Sequence, residues 1–227
     1  MSSSQRPWLV LAHAHVRVSE LHGLLDHYGD VTAIVDQPAA RLREAGLGEE
    51  KCAAIAAPDA AAIDRAAVWL QQPDHHLVTW DDDDYPAMLR EIPGPPLLLY
   101  VNGDPGLLQL PALAIIGSRN PTEGGVRNAR EFARHLAHQG FAIVSGMAQG
   151  IDAAAHRGAL DAGGKTIAFL GTGIDRVYPA GNRELAHDIA AHGALVSEYP
   201  LGAPPERWRF PERNRLISGL SLGTLVV

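Results

Sequence analysis

Three short segments in the second half of the chain carry residue types that bind phosphate. Gly117-Ser-Arg-Asn-Pro-Thr122 combines a glycine, two hydroxyls and a guanidinium whose fork fits phosphate oxygens. Ser145-Gly-Met-Ala-Gln-Gly150 and Gly171-Thr-Gly173 offer small residues that let a ligand approach the backbone. Where a helix follows such a segment, its first backbone amides also attract an anion. The sequence therefore predicts a site for a phosphate-bearing ligand.

A fourth segment, Trp208–Arg215, interleaves three arginines with two aromatic residues. Cations alternating with aromatic faces suit a flexible polyanion whose bases can stack, as in single-stranded nucleic acid. The alternative is an ordinary surface loop whose arginines pair with carboxylates. Pro211 and Phe210 favour a rigid, anchored loop just before a short helix.

Asp152 and His156 are four residues apart, a spacing that places both on one face of a helix. An acid–base or metal-binding pair is geometrically possible there, although no third ligand stands at a suitable spacing. Capping of a helix N-terminus by Asp152 is at least as good an interpretation.

Gly171-Thr-Gly173 lacks the third glycine of the dinucleotide-binding fingerprint, which disfavours a dinucleotide cofactor. Cys52 lies in an alanine-rich helical segment and is expected to be a small buried residue. The remaining metal-ligand types are expected at the solvated surface: His13, His15, His75 and His76. We therefore predict no cofactor, no metal ion and no catalytic residue.

Short apolar runs precede these polar segments, as expected for strands that are buried on both faces of a parallel sheet. They are Leu113–Ile116, Ala142–Val144, Thr166–Leu170, Ala194–Val196 and Thr224–Val227. Helical patterns alternate with them, which indicates an α/β fold with helices on both faces of the sheet. Ligands bind outside the carboxyl ends of such strands, where the polar segments fall.

The first half of the chain has a different pattern. Apolar residues recur at helical spacing in residues 1–72, so we predict a small all-helical domain there. Residues 73–111 are rich in proline and predict a connector that packs on the core, with at most one short strand at Leu97–Val101. Residues 112–227 form the predicted α/β domain.

The formal net charge of −7 divides unevenly along the chain. Residues 1–111 hold 7 Lys/Arg and 16 Asp/Glu, including the run Asp81–Asp84, whereas residues 112–227 hold 12 and 10. Because a partner experiences the local field of a cleft, the net −9 of the first part does not exclude a polyanion from the second, whose net charge is +2.

Composition excludes several classes of protein. Apolar residues make up 46% of the chain and charged residues 20%, which is typical of a globular protein with a core. No apolar run approaches the roughly 20 residues of a membrane helix, and the N-terminus lacks a secretory signal. A single cysteine excludes an internal disulfide and indicates a cytoplasmic protein. Since the chain ends within a predicted core strand, Leu225–Val227, we expect it to be incomplete at its C-terminus.

A series of motifs follows in order along residues 112–227, and together they resemble the DNA-processing protein family, DprA/Smf. They are Gly117-Ser-Arg-x-Pro-Thr122, Ser145-Gly-Met-Ala-x-Gly-Ile-Asp152, Ala155-His-Arg-Gly-Ala-Leu160, Gly163-Gly-x-Thr-Ile167, Gly171-Thr-Gly-Ile-Asp175 with Tyr178-Pro179, Ser197-Glu-Tyr-Pro200 and Phe210-Pro-x-Arg-Asn-Arg215. Tyr85-Pro-x-x-Leu89 and Pro95 through Gly103 extend the resemblance upstream.

The resemblance implies an extended Rossmann-like domain, preceded by a small SAM-like helical domain. It implies a non-enzymatic homodimer that binds and protects single-stranded DNA and loads the recombinase RecA onto it during natural transformation. The DNA-binding residues implied are Gly117, Ser118, Arg119, Ser145, Gly146, Lys165, Phe210, Arg213, Asn214 and Arg215. Among them, Arg119 and Lys165 would contact phosphates and Phe210 would stack on a base or support the site; Lys165 rests on the resemblance alone.

Two departures limit the resemblance. The family's glycine-punctuated helical hairpin is replaced by His13-Ala-His-Val-Arg17, so DNA binding is expected from the second half only. The chain also ends before the family's later Ser-Gly-Ser-Leu segment and winged-helix region.

The alternative function is a nucleotide-binding, phosphoribohydrolase-like enzyme acting on a nucleoside monophosphate. Such enzymes depend on a Pro-Gly-Gly-x-Gly-Thr-x-x-Glu motif that this chain lacks, which would leave Glu198 or Asp152 as the acid–base group.

Overall fold

The computed structural model describes residues 5–227, and the regular elements within residues 5–69 are all helices. The helices are α1 (Gln5–His13), α2 (Val18–Tyr28), α3 (Val31–Val35), α4 (Ala39–Glu44), α5 (Glu49–Ala56) and α6 (Ala60–Trp69). Aspartates cap the N-termini of two of these helices. Asp30 and Asp59 each accept a hydrogen bond from a backbone amide in the first turn, at 2.8 and 3.0 Å. Cys52 is buried in α5, as predicted.

The described residues form one seven-stranded sheet with the strand order β1-β2-β6-β5-β4-β3-β7. The strands are β1 (His75–Thr79), β2 (Leu98–Gly103), β3 (Ala112–Ile116), β4 (Ala142–Ser145), β5 (Thr166–Phe169), β6 (Ala194–Ser197) and β7 (Thr224–Val226). Strands β3 to β7 are parallel to one another, which confirms the predicted parallel sheet. β7 is an edge strand of this sheet rather than a central one.

Helices cover both faces of the sheet, as predicted. They are α7 (Ala87–Arg90), α8 (Glu123–His138), α9 (Ile151–Asp161), α10 (Arg183–His192) and α11 (Arg209–Gly219), with short 3₁₀ helices at Pro105–Gln109 and Ala180–Asn182. On one face, Val144 and Phe169 pack in a cluster with Leu216 of α11. On the other, Ile143 packs in a cluster with Ala133 of α8. This arrangement is an α/β fold with a buried central sheet.

The segment 73–111 departs from its prediction, because it contributes two strands instead of at most one. β1 pairs antiparallel with β2, and β2 pairs antiparallel with β6, so the sheet extends by two strands. β1 escaped prediction because it begins with two half-buried histidines and is buried only from Leu77 to Thr79. The prolines of this segment lie outside both strands, where no backbone amide is needed for the ladder.

The acidic run Asp81–Asp84 lies at one edge of the sheet, just beyond the carboxyl end of β1. β1 and β6 are each antiparallel to β2 and therefore run in the same direction. Asp81–Asp84, which follows β1, thus lies at the edge where the parallel strands also end. Asp82 accepts a hydrogen bond from the backbone amide of Thr79 at 2.6 Å, and the run lines a cavity of about 470 Å³.

α8 and α9 pack closely together at Gly158. A Cβ atom there would lie 2.2 Å from the carbonyl oxygen of Arg130, so Gly158→Ala must push the two helices apart. We expect this substitution to lower the free energy of unfolding by about 1–3 kcal/mol in a urea titration. Gly23→Ala in α2 is the matched control, because open space surrounds Gly23 and alanine favours a helix by about 0.5–1 kcal/mol. Unchanged stability of Gly158→Ala would contradict the close approach.

Candidate nucleic-acid interface

The three predicted phosphate-binding segments lie side by side at the carboxyl ends of β3, β4 and β5. The first leads into α8, and Thr122 caps that helix by accepting a hydrogen bond from the Gly125 amide at 3.1 Å. The second leads into α9. Two helix N-termini therefore point toward the same edge of the sheet, a geometry that favours an anion.

The first two segments contact each other directly. The backbone amide of Ile151 donates a hydrogen bond to the carbonyl of Ser118 at 3.1 Å. Gly150 has a φ of +83°, and a Cβ atom on it would lie 2.4 Å from the same carbonyl. Gly117 is equally restricted, since its Cβ would lie 2.2 Å from the carbonyl oxygen of Val227. The glycines here serve close backbone approach.

Side chains from three different elements hold the loop after β4. The Gly146 amide donates to Asp152 Oδ2 at 3.2 Å, and the Gly146 carbonyl accepts from Arg213 Nη1 at 2.7 Å. Asn182 Nδ2 donates to the carbonyl of Met147 at 2.9 Å, which stabilises the left-handed φ of +62° at Met147. The loop is therefore fixed before any ligand arrives.

Neither interpretation of Asp152 from the sequence is supported. Gly150 stands at the N-cap position of α9, and the Asp152 carboxylate bonds the preceding loop instead. Burial raises the pKa of Asp152, while the amides of Ala148 and Gly146 and the charge of Arg213 oppose that rise. Within residues 5–227, no hydrogen bond joins Asp152 to His156.

His156 is fully buried and faces β5. Its Nδ1 lies 2.7 Å from Thr166 Oγ1, whose hydroxyl donates to the carbonyl of Ile143, also at 2.7 Å. Because the hydroxyl proton is used there, Nδ1 must carry a proton and donate it to Thr166. Burial lowers the pKa of His156 to about 3, with Arg213 contributing. A neutral, enclosed imidazole of this kind cannot exchange protons with a substrate.

Arg213 reaches under the sheet edge from α11 and is only 3% exposed. Nη1 also donates to the carbonyl of Phe169, so one guanidinium joins the ends of β4 and β5. Burial lowers the pKa of Arg213 to about 10, and the charge of Asp152 opposes this. Nη2 makes no hydrogen bond within the described part of the chain, and Arg213 lines a cavity at this edge.

This cavity measures about 100 Å³ and brings together four of the predicted site residues: Arg119, Gly146, Phe210 and Arg213. Sequence reasoning missed the other lining residues, Ala148, Gln149, Tyr178 and Pro179. Two of these belong to the Ser145–Gly150 segment and two to a motif of the resemblance, so the signal was present in both cases.

Arg119 and Phe210 meet at the mouth of the cavity. The Arg119 guanidinium carbon lies 5.7 Å from the centroid of the Phe210 ring. Arg119 is exposed, and no ion pair to it exists among residues 5–227. Phe210 lies in the first turn of α11 rather than in a loop before a helix. Pro211 is compatible with that turn because first-turn amides need no helical acceptor.

The side chains of Ser145, Ser118 and Asn214 have hydrogen-bond partners within the fold. Ser145 is buried, and its hydroxyl donates to the carbonyl of Ile115 at 2.7 Å. Ser118 Oγ accepts from the Asn120 amide at 3.0 Å, and Asn214 Oδ1 accepts from Arg213 Nε at 3.3 Å. These contacts shape the edge of the sheet.

Arg215 does not line the cavity. It pairs with Glu198 at 2.5 Å, which is the Arg–carboxylate pairing considered as the alternative for this segment. Burial raises the pKa of Glu198, and the charge of Arg215 opposes the rise. Glu198, the acid–base candidate of the enzyme alternative, therefore has its charge engaged inside the fold.

Lys165 lies at the other end of β5. It precedes the first residue of that strand, is exposed, and donates to the carbonyl of His192 at 3.3 Å. The four residues of β5 separate its backbone by about 13 Å from the carboxyl end of that strand, the end at which the cavity lies. The structure therefore does not bring Lys165 together with Arg119.

A larger cavity of about 590 Å³ lies against α8, lined by three arginines and three carboxylates. Its charges are balanced, with Arg130 paired to Asp161 at 2.6 Å and Arg134 to Glu131 at 2.9 Å.

Among residues 5–227, no group of three or more His, Cys, Asp or Glu residues could hold a metal ion. No helix in the same part of the chain has the length and apolarity to cross a bilayer. The cavity at the sheet edge remains the best candidate site.

Comparisons with known proteins identify the relatives of this chain. Residues 76–227 match the family model of DNA recombination-mediator protein A. Protein Smf of Synechocystis is 49% identical over 161 residues, which cover 69% of this chain and 40% of that protein. The chain thus spans less than half the length of that relative.

Two solved structures are similar. DNA processing protein A (DprA) from Streptococcus pneumoniae superposes with a TM-score of 0.83 at 31% identity, over 100% of this chain and 78% of that one. DNA processing protein A from Helicobacter pylori, described for its unique single-stranded DNA binding mode, gives 0.61 at 35% identity, over 66% and 68%. The motifs, the sheet and these matches agree, and the chain belongs to the DNA recombination-mediator protein A family.

Proposed function

We propose that this protein binds single-stranded DNA at the carboxyl edge of its parallel sheet and acts as a recombination mediator. The observation that carries the proposal is Arg119, an exposed guanidinium without an ion pair in the described residues, set over Phe210 between two helix N-termini. An unpaired guanidinium beside helix N-termini suits a phosphate, and aromatic residues next to it suit the neighbouring base. The relative from Helicobacter pylori, which is described as binding single-stranded DNA, supports it.

The size of the cavity favours a polymer over an enclosed nucleotide. Sites that enclose small molecules measure roughly 300–1,000 Å³, whereas this one measures about 100 Å³. A phosphate group can enter it while the rest of the strand lies outside. No carboxylate of the described residues lines the cavity, so a phosphoribohydrolase would have no acid–base group there. Release of free base from a nucleoside monophosphate would be needed to support this alternative function.

The test is a titration of labelled oligo-dT by fluorescence anisotropy at several salt concentrations, beside a duplex of equal length. We expect single-strand preference and an affinity that falls steeply with salt, because counterions are released from phosphates. Arg119→Ala should weaken binding about tenfold and reduce the salt slope by about 0.7, the value for one lost phosphate contact.

Arg157→Ala is the matched control, because Arg157 is exposed on α9 and does not line the cavity. It should change the affinity less than twofold. Salt-independent binding, or equal loss in both variants, would contradict the proposed site.

We propose further that the full-length protein is a homodimer without catalytic activity that protects incoming DNA and loads RecA onto it during natural transformation. The family supports this proposal. Sedimentation of the full-length protein and RecA filament assembly on protein-coated single strands are the measurements that test it. A monomer, or filament assembly at the same rate without the protein, would contradict it.

A further inference from the structure

Tyr178 presents an exposed aromatic ring at the mouth of the cavity. It lines the cavity together with Pro179 and is 48% exposed. Its ring centroid lies 5.4 Å from that of Phe210, with the two planes inclined by 38°. One side of Tyr178 therefore rests on Phe210, while much of the ring stays open to solvent.

Phe210 is more enclosed than Tyr178. Its ring lies so close to Gly171 that a Cβ atom on that glycine would approach it to 2.7 Å. Arg119 and Tyr178 pack around the same ring, at 5.7 and 5.4 Å between centres. A ring held in this way supports its neighbours and leaves little face for a ligand.

The cavity is also too small to take a base and a phosphate together. At about 100 Å³ it accommodates one small group, and its arginine lining favours a phosphate. The adjoining base must then lie outside the cavity, against whatever surface flanks its mouth. Tyr178 is the exposed aromatic residue that lines this mouth.

We propose that Tyr178 stacks on a base of the bound single strand while Arg119 holds a neighbouring phosphate. This inference rests on the proposed function and adds that the site recognises unpaired bases as well as the phosphate chain. Phe210, expected from the sequence as a possible stacking residue, becomes the support beneath Tyr178. Stacking of this kind tolerates every base, and bases paired inside a duplex are not available for it.

The experiment compares oligo-dT with an abasic oligomer of the same length, using wild type, Tyr178→Phe, Tyr178→Leu and Tyr178→Ala. The leucine and alanine variants should bind oligo-dT about tenfold more weakly, and the phenylalanine variant within twofold of wild type. All four proteins should bind the abasic oligomer equally, because the phosphate contact is unchanged. Thermal unfolding of each variant verifies that it is folded.

Phe132→Ala is the matched control, since Phe132 is 49% exposed on α8 and does not line the cavity. It should bind both oligomers like wild type. Failure of the wild-type protein to bind oligo-dT would overturn the proposed function itself. Binding that Arg119→Ala weakens but Tyr178→Ala leaves unchanged would overturn only this inference. An equal loss of oligo-dT and abasic binding in Tyr178→Ala would also overturn it.

Discussion

Replacing Arg213 by methionine is expected to lower the free energy of unfolding by about 3–5 kcal/mol, although methionine keeps most of the aliphatic bulk. Loss of the guanidinium leaves the carbonyls of Gly146 and Phe169 without their donor. It also leaves the buried Asp152 carboxylate without a nearby cation. Removing one partner from a buried charged network is strongly destabilising for this reason.

Urea denaturation at neutral pH measures this loss. Arg213→Lys should recover only part of it, because an ammonium group cannot reproduce the guanidinium fork. Arg207→Met is the matched control, since Arg207 is exposed just before α11, and its stability should stay within about 0.5 kcal/mol of wild type. If Arg213→Met and Arg207→Met were equally stable, the structural role of Arg213 would be refuted.

His156 is expected to make the protein sensitive to acid. The pKa of His156 is about 3 in the folded protein and 6.5 in the unfolded chain. Below pH 6.5, the unfolded chain therefore binds a proton that the folded protein does not bind. The stability associated with neutral His156 is therefore complete above pH 6.5 and is lost as the pH falls toward 3. At pH 4.5 the loss amounts to about 3 kcal/mol, from 1.36 kcal/mol for each pKa unit.

The comparison with His156→Asn isolates this contribution. An asparagine amide can keep the donated hydrogen bond to Thr166 but does not titrate. Unfolding free energies measured from pH 7 to 4 should therefore fall less steeply in the variant, and His138→Asn, at the exposed end of α8, should follow wild type. Raised pKa values of Asp152 and Glu198 act in the opposite direction, but they cancel in the difference. Parallel curves for wild type and His156→Asn would contradict the assignment.

The fold was largely predictable because its signals are local. β3 to β6 are buried on both faces, so each shows in the sequence as a short apolar run within one residue or so of its observed bounds. β1 was not predictable in this way, since its first two residues are half-buried histidines. The Trp208–Arg215 segment was expected as a loop because Pro211 suggests one, yet proline is tolerated in a first helical turn.

The place of the glycine-rich segments in the sheet was predictable, but the contacts of the candidate site were not. Glycine-rich segments after parallel strands must meet at one edge, and they do so here. The partners of the arginines could not be deduced from spacing, because Arg213 bonds Gly146, 67 residues earlier in the chain, and Arg215 pairs with Glu198 across a turn and part of α11. Only the three-dimensional fold separates Arg119, which is free for a ligand, from these two engaged residues.

The acidic run makes the charge uneven along the edge of the sheet, with carboxylates beyond β1 at one end and Arg119 beyond β3 near the other. Asp81–Asp84 follows β1, and Arg119 follows β3, which lies five strand positions away; this corresponds to about 24 Å at the usual spacing between strands. At physiological ionic strength a charge is screened within about 8 Å, so the negative end and the Arg119 end act as separate fields. If single-stranded DNA binds near Arg119 as proposed, it is repelled where it turns toward β1 and is directed toward the β7 side instead. In dilute salt, where screening extends to about 30 Å, the field of the same aspartates would reach the phosphates of DNA bound in the proposed way and limit the gain in affinity.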